Sequence, residues 1–126
     1  MRHVLLVILL TSFTSLLIAE ADGSWLEKVP NRDRVLSNPY AENSDAVAAG
    51  AILFRRNCSS CHGETAQGLG SRPSLRSMRV QAATDGELHW LLTNGSLRRG
   101  MPSWSRLPDA QRWQIVRYLH SLRRDQ

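Results

Sequence analysis

The chain has 126 residues, of which 42% are hydrophobic, and its formal net charge is +5. This length predicts one small domain with a limited apolar core. Nearly all of the positive charge is arginine, since Lys28 is the only lysine. A basic stripe can indicate nucleic-acid binding, but the first residues indicate export, so we expect no nucleic-acid partner.

The first residues have the layout of a secretory signal peptide. Met1-Arg2-His3 is a short basic start, the run from Val4 to Ile18 is almost wholly apolar, and Ala19-Glu20-Ala21 is a small-x-small cleavage site. At about fifteen residues the apolar run is short for a membrane span, which needs roughly twenty. We therefore predict a signal peptide at 1–21, a periplasmic or otherwise exported mature chain and no stable membrane insertion after cleavage. The alternative is an uncleaved N-terminal membrane anchor.

Residues 22–43 contain two prolines and several asparagines and show no sustained periodicity. Such residues favour turns and extended chain. We predict an extended arm or linker, with Trp25 and Tyr40 among the apolar residues that could attach it to the domain at 44–124.

A helix is predicted from Ser44, whose side chain is suited to cap it. Residues that recur at helical spacing share one face, namely Val47, Gly50, Ala51, Phe54 and Cys58. A glycine inside a helix costs roughly 1 kcal/mol relative to alanine. Gly50 therefore indicates either the close approach of a second helix or a tolerated glycine.

The motif Cys58-Ser59-Ser60-Cys61-His62 comes next, and it matches the attachment signature of c-type haem. One turn of chain presents two thiols to the two vinyl groups on one porphyrin edge, and each thiol adds to a vinyl as a thioether. The histidine is then carried under the ring, where an imidazole nitrogen binds iron. We expect one haem c, bound covalently through two thioethers, with His62 as an iron ligand.

A Cys-x-x-Cys pair also has other chemical uses. It can be a dithiol redox pair, a disulfide or half of a zinc site. The chain has no further cysteine for a second zinc-binding pair, and the flanks lack the βαβ pattern of a thioredoxin-like protein. A haem-free dithiol redox module remains the alternative to haem binding.

Two more helices are predicted downstream. Residues 63–80 are rich in glycine, serine and arginine, which is typical of a loop. Thr84 and Glu87 form a capping box that opens a helix ending at Asn94-Gly95. Pro108-Asp109 begins the last helix. Because no segment alternates at period two, the fold class is predicted to be all-α.

The chain from about Ser44 to Leu122 resembles the monohaem class I cytochromes c. The resemblance rests on a Gly-x-x-x-Phe element before Cys-x-x-Cys-His and on an aliphatic-x-x-Tyr-Leu element in the last helix. The matching residues are Gly50, Phe54, Cys58, Cys61, His62, Ile115, Tyr118 and Leu119. The resemblance implies a cytochrome c-like fold, in which the N- and C-terminal helices cross at nearly right angles at Gly50 and short helices and loops wrap around one covalent haem. It also implies that the carbonyl of Pro73 accepts a hydrogen bond from the His62 ring and so fixes the ring tautomer.

Met101 is predicted to be the second iron ligand. It lies in a Gly-Met-Pro-Ser-Trp stretch that looks like the ligand loop of that family, and a methionine sulfur raises the potential of haem iron. Of the competing residues, we expect Met78 to pack, His89 to be an ordinary helical histidine and His120 to lie at the surface. The expected apolar pocket consists of Phe54, Leu75, Trp90, Leu91 and Trp104.

Iron held by two protein ligands has no open position for a substrate, so the cofactor does one-electron chemistry. The resemblance implies an electron carrier rather than an enzyme, working between exported or membrane redox proteins, from a dehydrogenase to a terminal oxidase or reductase. The arginines between Arg72 and Arg106 would frame the ring and steer partners with acidic docking patches. The alternative is a haem enzyme or a gas or peroxide sensor with a labile methionine ligand.

Overall fold

The computed structural model describes residues 23–125, without the side chains of 124 and 125, and the predicted signal peptide lies outside the described residues. The α-helices are α1 (Asn31–Arg34), α2 (Ser44–Asn57), α3 (Ser59–His62), α4 (Met78–Ala82), α5 (Asp85–Asn94) and α6 (Asp109–Ser121), with 3-10 helices at Leu26–Lys28, Leu97–Arg99 and Leu122–Asp125. Extended pairing in the described residues is limited to two isolated bridges. The predicted all-α class is therefore confirmed. No helix within 23–125 combines the length and hydropathy needed to cross a bilayer.

Helix α2 begins where the sequence predicts, but its cap differs by one residue. Asn43 is the N-cap, and its side-chain oxygen accepts a hydrogen bond from the backbone N–H of Ala46 at 3.1 Å. Ser44, which we predicted as the cap, is already the first helical residue. The predicted apolar face is nevertheless the packed face, since Gly50 and Phe54 are buried on it.

The packing of α2 against α6 forms the main helix pair. An added Cβ at Gly50 would lie only 2.1 Å from the carbonyl oxygen of Gln114, so this position has room for glycine alone. One turn on, Phe54 is completely buried, and its ring centroid lies 5.4 Å from that of Tyr118. Burying a phenylalanine contributes about 1.5–3 kcal/mol, which exceeds the roughly 1 kcal/mol that a helical glycine costs. The close helix contact predicted at Gly50 is present.

Helix α5 begins and ends, and α6 begins, where local signals in the sequence predict. Both halves of the capping box form, because Glu87 N–H donates to the Thr84 hydroxyl at 3.2 Å and Thr84 N–H donates to the Glu87 carboxylate at 2.8 Å. Helix α5 ends before Gly95, and α6 follows Pro108. The predicted loop at 63–80 is shorter than expected, since α4 begins within it.

The N-terminal segment differs from the extended arm that we predicted at 22–43. Its described part contains the 3-10 helix Leu26–Lys28 and helix α1, and it packs against the domain. Trp25 and Val29 belong to the hydrophobic core. Two of the residues that suggested extended chain instead mark a helix start, since Pro30 precedes α1 and Asn31 is its first residue.

Candidate functional site

A cavity of about 520 Å³ lies among α2, α5, α6 and the loops that join the helices. Ligand pockets typically enclose about 300–1,000 Å³, so a cofactor-sized group fits. Most of the lining is apolar side chains, among them Phe54, Leu88 and Leu119. All five predicted site residues line this one cavity, namely Cys58, Cys61, His62, Pro73 and Met101.

The Cys-x-x-Cys-His motif occupies a single helical turn. Cys58 N–H donates to the carbonyl of Phe54 at the end of α2, and His62 N–H donates to the carbonyl of Cys58 at 2.9 Å. Cys58 and Cys61 are both free thiols, not a disulfide. The turn therefore brings two thiols and an imidazole to one wall of the cavity, which is the donor set that covalent haem requires.

The Cys58 thiol has an environment unlike that of a redox dithiol. Burial, and then the charge of Cys61, raises the pKa of the Cys58 thiol to about 12. Dithiol oxidoreductases depend on a thiolate, and they lower the pKa of the attacking cysteine. The Cys58 thiol is therefore not prepared to act as an attacking thiolate.

The His62 imidazole is oriented by the loop that follows the motif. Its Nδ1 lies 2.9 Å from the carbonyl oxygen of Pro73. A carbonyl only accepts, so Nδ1 carries the proton and Nε2 is left with the lone pair that binds a metal. Burial lowers the pKa of His62, outweighing the Pro73 hydrogen bond, and the charge of Arg72 acts in the same direction as burial. The site thus favours the neutral imidazole, and the contact implied by the family resemblance is present.

The loop that carries Met101 is fixed to the C-terminal end of α5. Ser96 and Met101 exchange two backbone hydrogen bonds, at 2.9 and 3.1 Å, and Trp104 N–H donates to the carbonyl of Leu92 at 2.8 Å. Gly95 lies beneath this loop with a φ of +71°, and an added Cβ there would lie 2.8 Å from the carbonyl oxygen of Met101. The end of α5 therefore determines where Met101 enters the cavity.

A family model described as cytochrome c oxidase, cbb3-type, subunit III, matches residues 45–119. The chain belongs to this family of monohaem c-type cytochromes. Its cofactor is covalently bound haem c with iron, and members of the family transfer electrons. The two thiols, the oriented imidazole and the apolar lining described above fit that group.

Relatives of this cytochrome include a cytochrome c550 and subunits of cbb3-type oxidases. Cytochrome c550 of Pseudomonas aeruginosa is 32% identical over 106 residues, which cover 81% of this chain and 70% of the relative. The cbb3-type cytochrome c oxidase subunit CcoP of an Azospirillum species is 37% identical over 101 residues, covering 71% of this chain but only 33% of the subunit. The cytochrome therefore spans about a third of that subunit.

A solved structure has the same fold. Cytochrome cL from the methylotroph Methylophaga aminisulfidivorans aligns with a TM-score of 0.58 at 29% identity, covering 68% of this chain and 58% of that one. This likeness agrees with the predicted cytochrome c-like architecture.

The other candidate ligands of the cytochrome do not line the cavity. Met78 is 86% exposed, so the prediction that it packs is wrong. His89 stacks on Trp113 with ring centroids 3.8 Å apart. His120, which we expected at the surface, has a side chain that is only 16% exposed and lies 2.8 Å from the Asp85 carboxylate. His120 is covered because the C-terminal end of α6 packs over the start of α5.

Two differences concern the apolar walls. Leu91 lines the pocket as predicted, but Trp90 does not, and Leu88 and Leu92 line it as well. Residues three and four apart share a helix face, whereas Trp90 is two positions from both Leu88 and Leu92. Trp25 lines the cavity as well, and sequence reasoning missed it because a lone tryptophan in an aperiodic segment gives no sign of its partner.

Two arginines reach the cavity from the loops. Arg72 and Arg99 both contribute to its lining, as predicted for some of the arginines between Arg72 and Arg106. The Nη1 atom of Arg72 lies 3.6 Å from the Cys61 sulfur. The cavity therefore combines apolar walls with cationic groups.

Proposed function

We propose that this cytochrome is a one-electron carrier, not a catalyst, whose haem iron is held by His62 and Met101. The supporting observation is that the oriented imidazole and the methionine belong to the cavity that also holds both motif cysteines. When bound, the haem supplies reversible one-electron chemistry. If His62 and Met101 both held the iron, it would have no open position for a substrate or oxygen.

The side chains around the site set its potential. The apolar walls formed by Phe54, Leu88 and Leu119 disfavour the extra positive charge of ferric iron, and a methionine ligand acts in the same direction. The Pro73 carbonyl holds the His62 ring and increases its basicity. Cys58 and Cys61 fix the group to the chain.

The charge around the cavity indicates the kind of partner. Arg72 and Arg99 reach the lining, and the Arg106 guanidinium lies 4.3 Å from the centre of the Trp104 ring. These cations suit redox proteins with acidic docking patches. A terminal oxidase or reductase as electron acceptor is supported by the CcoP relatives, which are cbb3-type oxidase subunits. A dehydrogenase as donor and a periplasmic location are proposed from the carrier role and the signal sequence.

The substitution Met101→Ala tests the ligand assignment. It should cause a large fall in the midpoint potential, remove the weak charge-transfer band of a sulfur-ligated ferric haem, and allow the ferrous protein to bind carbon monoxide. The matched control is Met78→Ala, since that methionine is 86% exposed and does not line the cavity. If Met101→Ala kept the native potential and spectrum, the assignment would be wrong.

The alternatives have distinct signatures in the unmodified protein. Carbon monoxide binding to the wild-type ferrous form would indicate a labile methionine and favour a sensor or enzyme. A haemochrome spectrum that persists after denaturation and acid extraction would exclude the haem-free dithiol module.

A further inference from the structure

The N-terminal segment forms part of the cofactor cavity. We call residues 24–38 the N-terminal clamp, and they precede the range 45–119 that matches the family model. Within the clamp, Trp25 lines the cavity and is only 9% exposed. Leu26 and Val29 pack against the same hydrophobic core. The clamp is thus a wall of the site and not a tether beside it.

Arg34 donates hydrogen bonds both within the clamp and to the domain. Its Nη1 donates to the Glu87 carboxylate in α5 at 2.6 Å, and its Nε donates to the carbonyl of Val29 at 3.1 Å. Its Nη2 donates to the carbonyl of Leu26, the neighbour of Trp25. One partly buried guanidinium therefore links the turn that carries Trp25 to the first turn of α5.

The far end of the clamp is fixed independently. The buried Asn38 side chain donates to the carbonyl of Trp113 in α6 at 2.9 Å, and its backbone N–H donates to the Asp85 carboxylate at 3.1 Å. The backbone at Asp33 lies so close to Gly86 that an added Cβ there would be 1.8 Å from the Asp33 carbonyl oxygen. These contacts hold the clamp in one position over α5 and α6.

We propose that Trp25 excludes water from one side of the haem, and that the clamp keeps its indole in the cavity with Arg34 as the positioning residue. Water beside the ring stabilises the more highly charged ferric state, so excluding it raises the potential. The proposal rests on the haem-carrier function proposed above. Arg34 acts through Trp25, because its guanidinium holds the backbone that carries the indole.

Four variants of the haem-loaded full chain test the proposal. Trp25→Ala removes the wall, and Trp25→Phe restores an apolar ring. Arg34→Met releases the clamp and leaves the cavity lining intact. Arg32→Met is its matched control, since Arg32 lies two residues away on the same helix and its side chain is 86% exposed. The measurements are the midpoint potential, the methionine charge-transfer band and hydrogen–deuterium exchange of the clamp amides.

We expect Trp25→Ala and Arg34→Met to shift the potential downward while keeping the haem and the charge-transfer band, with faster amide exchange in Arg34→Met. Trp25→Phe and Arg32→Met should stay close to the wild-type potential. The proposal is overturned if Trp25→Ala keeps the wild-type potential, or if Arg34→Met exchanges faster with no change in potential. Absence of the charge-transfer band from the wild-type protein would instead contradict the proposed function.

Discussion

The His89 imidazole is held between an aromatic ring and a carboxylate. It stacks on Trp113, and its Nε2 lies 2.9 Å from the Asp109 carboxylate, which also accepts a hydrogen bond from Arg112. Burial lowers the pKa of His89, outweighing the attraction of Asp109, and the charge of Arg112 adds to the lowering. The folded state therefore favours the neutral ring.

His89 should make the free energy of unfolding depend on pH in mild acid. In the unfolded chain it takes up a proton as the pH falls through about 6.5, whereas the folded chain resists protonation until a lower pH. Because the unfolded state then binds more protons, the stability present above pH 6.5 is lost as the pH falls toward the folded pKa. We expect His89→Gln to flatten this decrease in denaturant unfolding of the holoprotein. An unchanged pH profile in the variant would exclude the effect.

The burial of Arg112 could not be predicted from its residue type. Arginine is usually exposed, yet Arg112 is only 9% exposed and its guanidinium donates to the carbonyls of Ser105 and Leu107 and to the Asp109 carboxylate. These contacts fasten the turn after the Met101 loop to α6. The sequence places Arg112 on a helix but gives no sign of the carbonyls that it meets.

At the level of elements, the junction between α5 and the Met101 loop depends on Gly95. Its backbone, with φ +71° and ψ −172°, lies in a region that is essentially restricted to glycine and costs other residues about 1–3 kcal/mol. An added Cβ would also lie 2.7 Å from the backbone nitrogen of Ser103. A side chain here should therefore displace the loop that carries Met101.

We predict that Gly95→Ala lowers stability by about 1–3 kcal/mol through backbone strain and weakens the methionine charge-transfer band. Absorption spectroscopy and a redox titration measure the second effect. Gly70→Ala is the control, because Gly70 also has a positive φ but an added Cβ would meet no atom within 4 Å. The junction would be irrelevant to ligation if the Gly95→Ala band matched that of Gly70→Ala.

The elements that the sequence predicted well carry their own local signals. The capping box of Thr84 and Glu87 and the proline before Asp109 determine where α5 and α6 begin. Cys58, Cys61 and His62 follow from one short motif, Pro73 and Met101 were implied by the family resemblance, and the cavity brings all five together. Local chemistry therefore predicted three of the main helices and the haem-attachment motif, and the resemblance supplied the rest of the site.

The elements that were missed depend on distant partners. Asn38 is buried because it reaches the Trp113 carbonyl, 75 positions away. His120 is covered because α6 returns over Ala83 and Asp85. Trp25 lines the cavity in a segment whose Arg34 meets Glu87, 53 positions away. None of these pairings leaves a periodic pattern, so only the folded structure reveals them.

For the whole molecule, the cavity links haem binding to folding. By the relation of about 24 cal/mol per Å³, a void of about 520 Å³ would cost at most about 12 kcal/mol. The total stability of a domain is about 5–15 kcal/mol. The upper limit of the loss in a chain without its haem is therefore comparable to its whole stability.

We predict that Cys58→Ser/Cys61→Ser, which cannot form thioethers, loses its cooperative thermal transition or unfolds at a far lower temperature than the holoprotein. Far-ultraviolet circular dichroism measures this. The single variant Cys61→Ser keeps one attachment and should be intermediate. A double variant that melts cooperatively at the holoprotein temperature would show that the fold does not need the haem.

The net charge of the molecule predicts how salt affects its reactions. The formal charge is +5, and cleavage after Ala21 would remove Arg2 and Glu20, which leaves it unchanged. Oxidation by a small anionic complex should slow as salt shortens the Debye length from about 30 Å at 0.01 M to about 8 Å at 0.15 M. A cationic complex of similar potential is the control and should speed up. Equal salt dependence in stopped-flow measurements would mean that charge does not steer encounter.

The walls of the cavity come from opposite ends of the domain. Phe54 and Cys58 lie at the end of α2, whereas Ile115 and Leu119 belong to α6. During synthesis the cysteines are therefore made long before the helix that covers them. In the folded domain α6 packs at Gly50 and Cys58 is only 9% exposed. We therefore expect the thioethers to form before the last helix packs over the site.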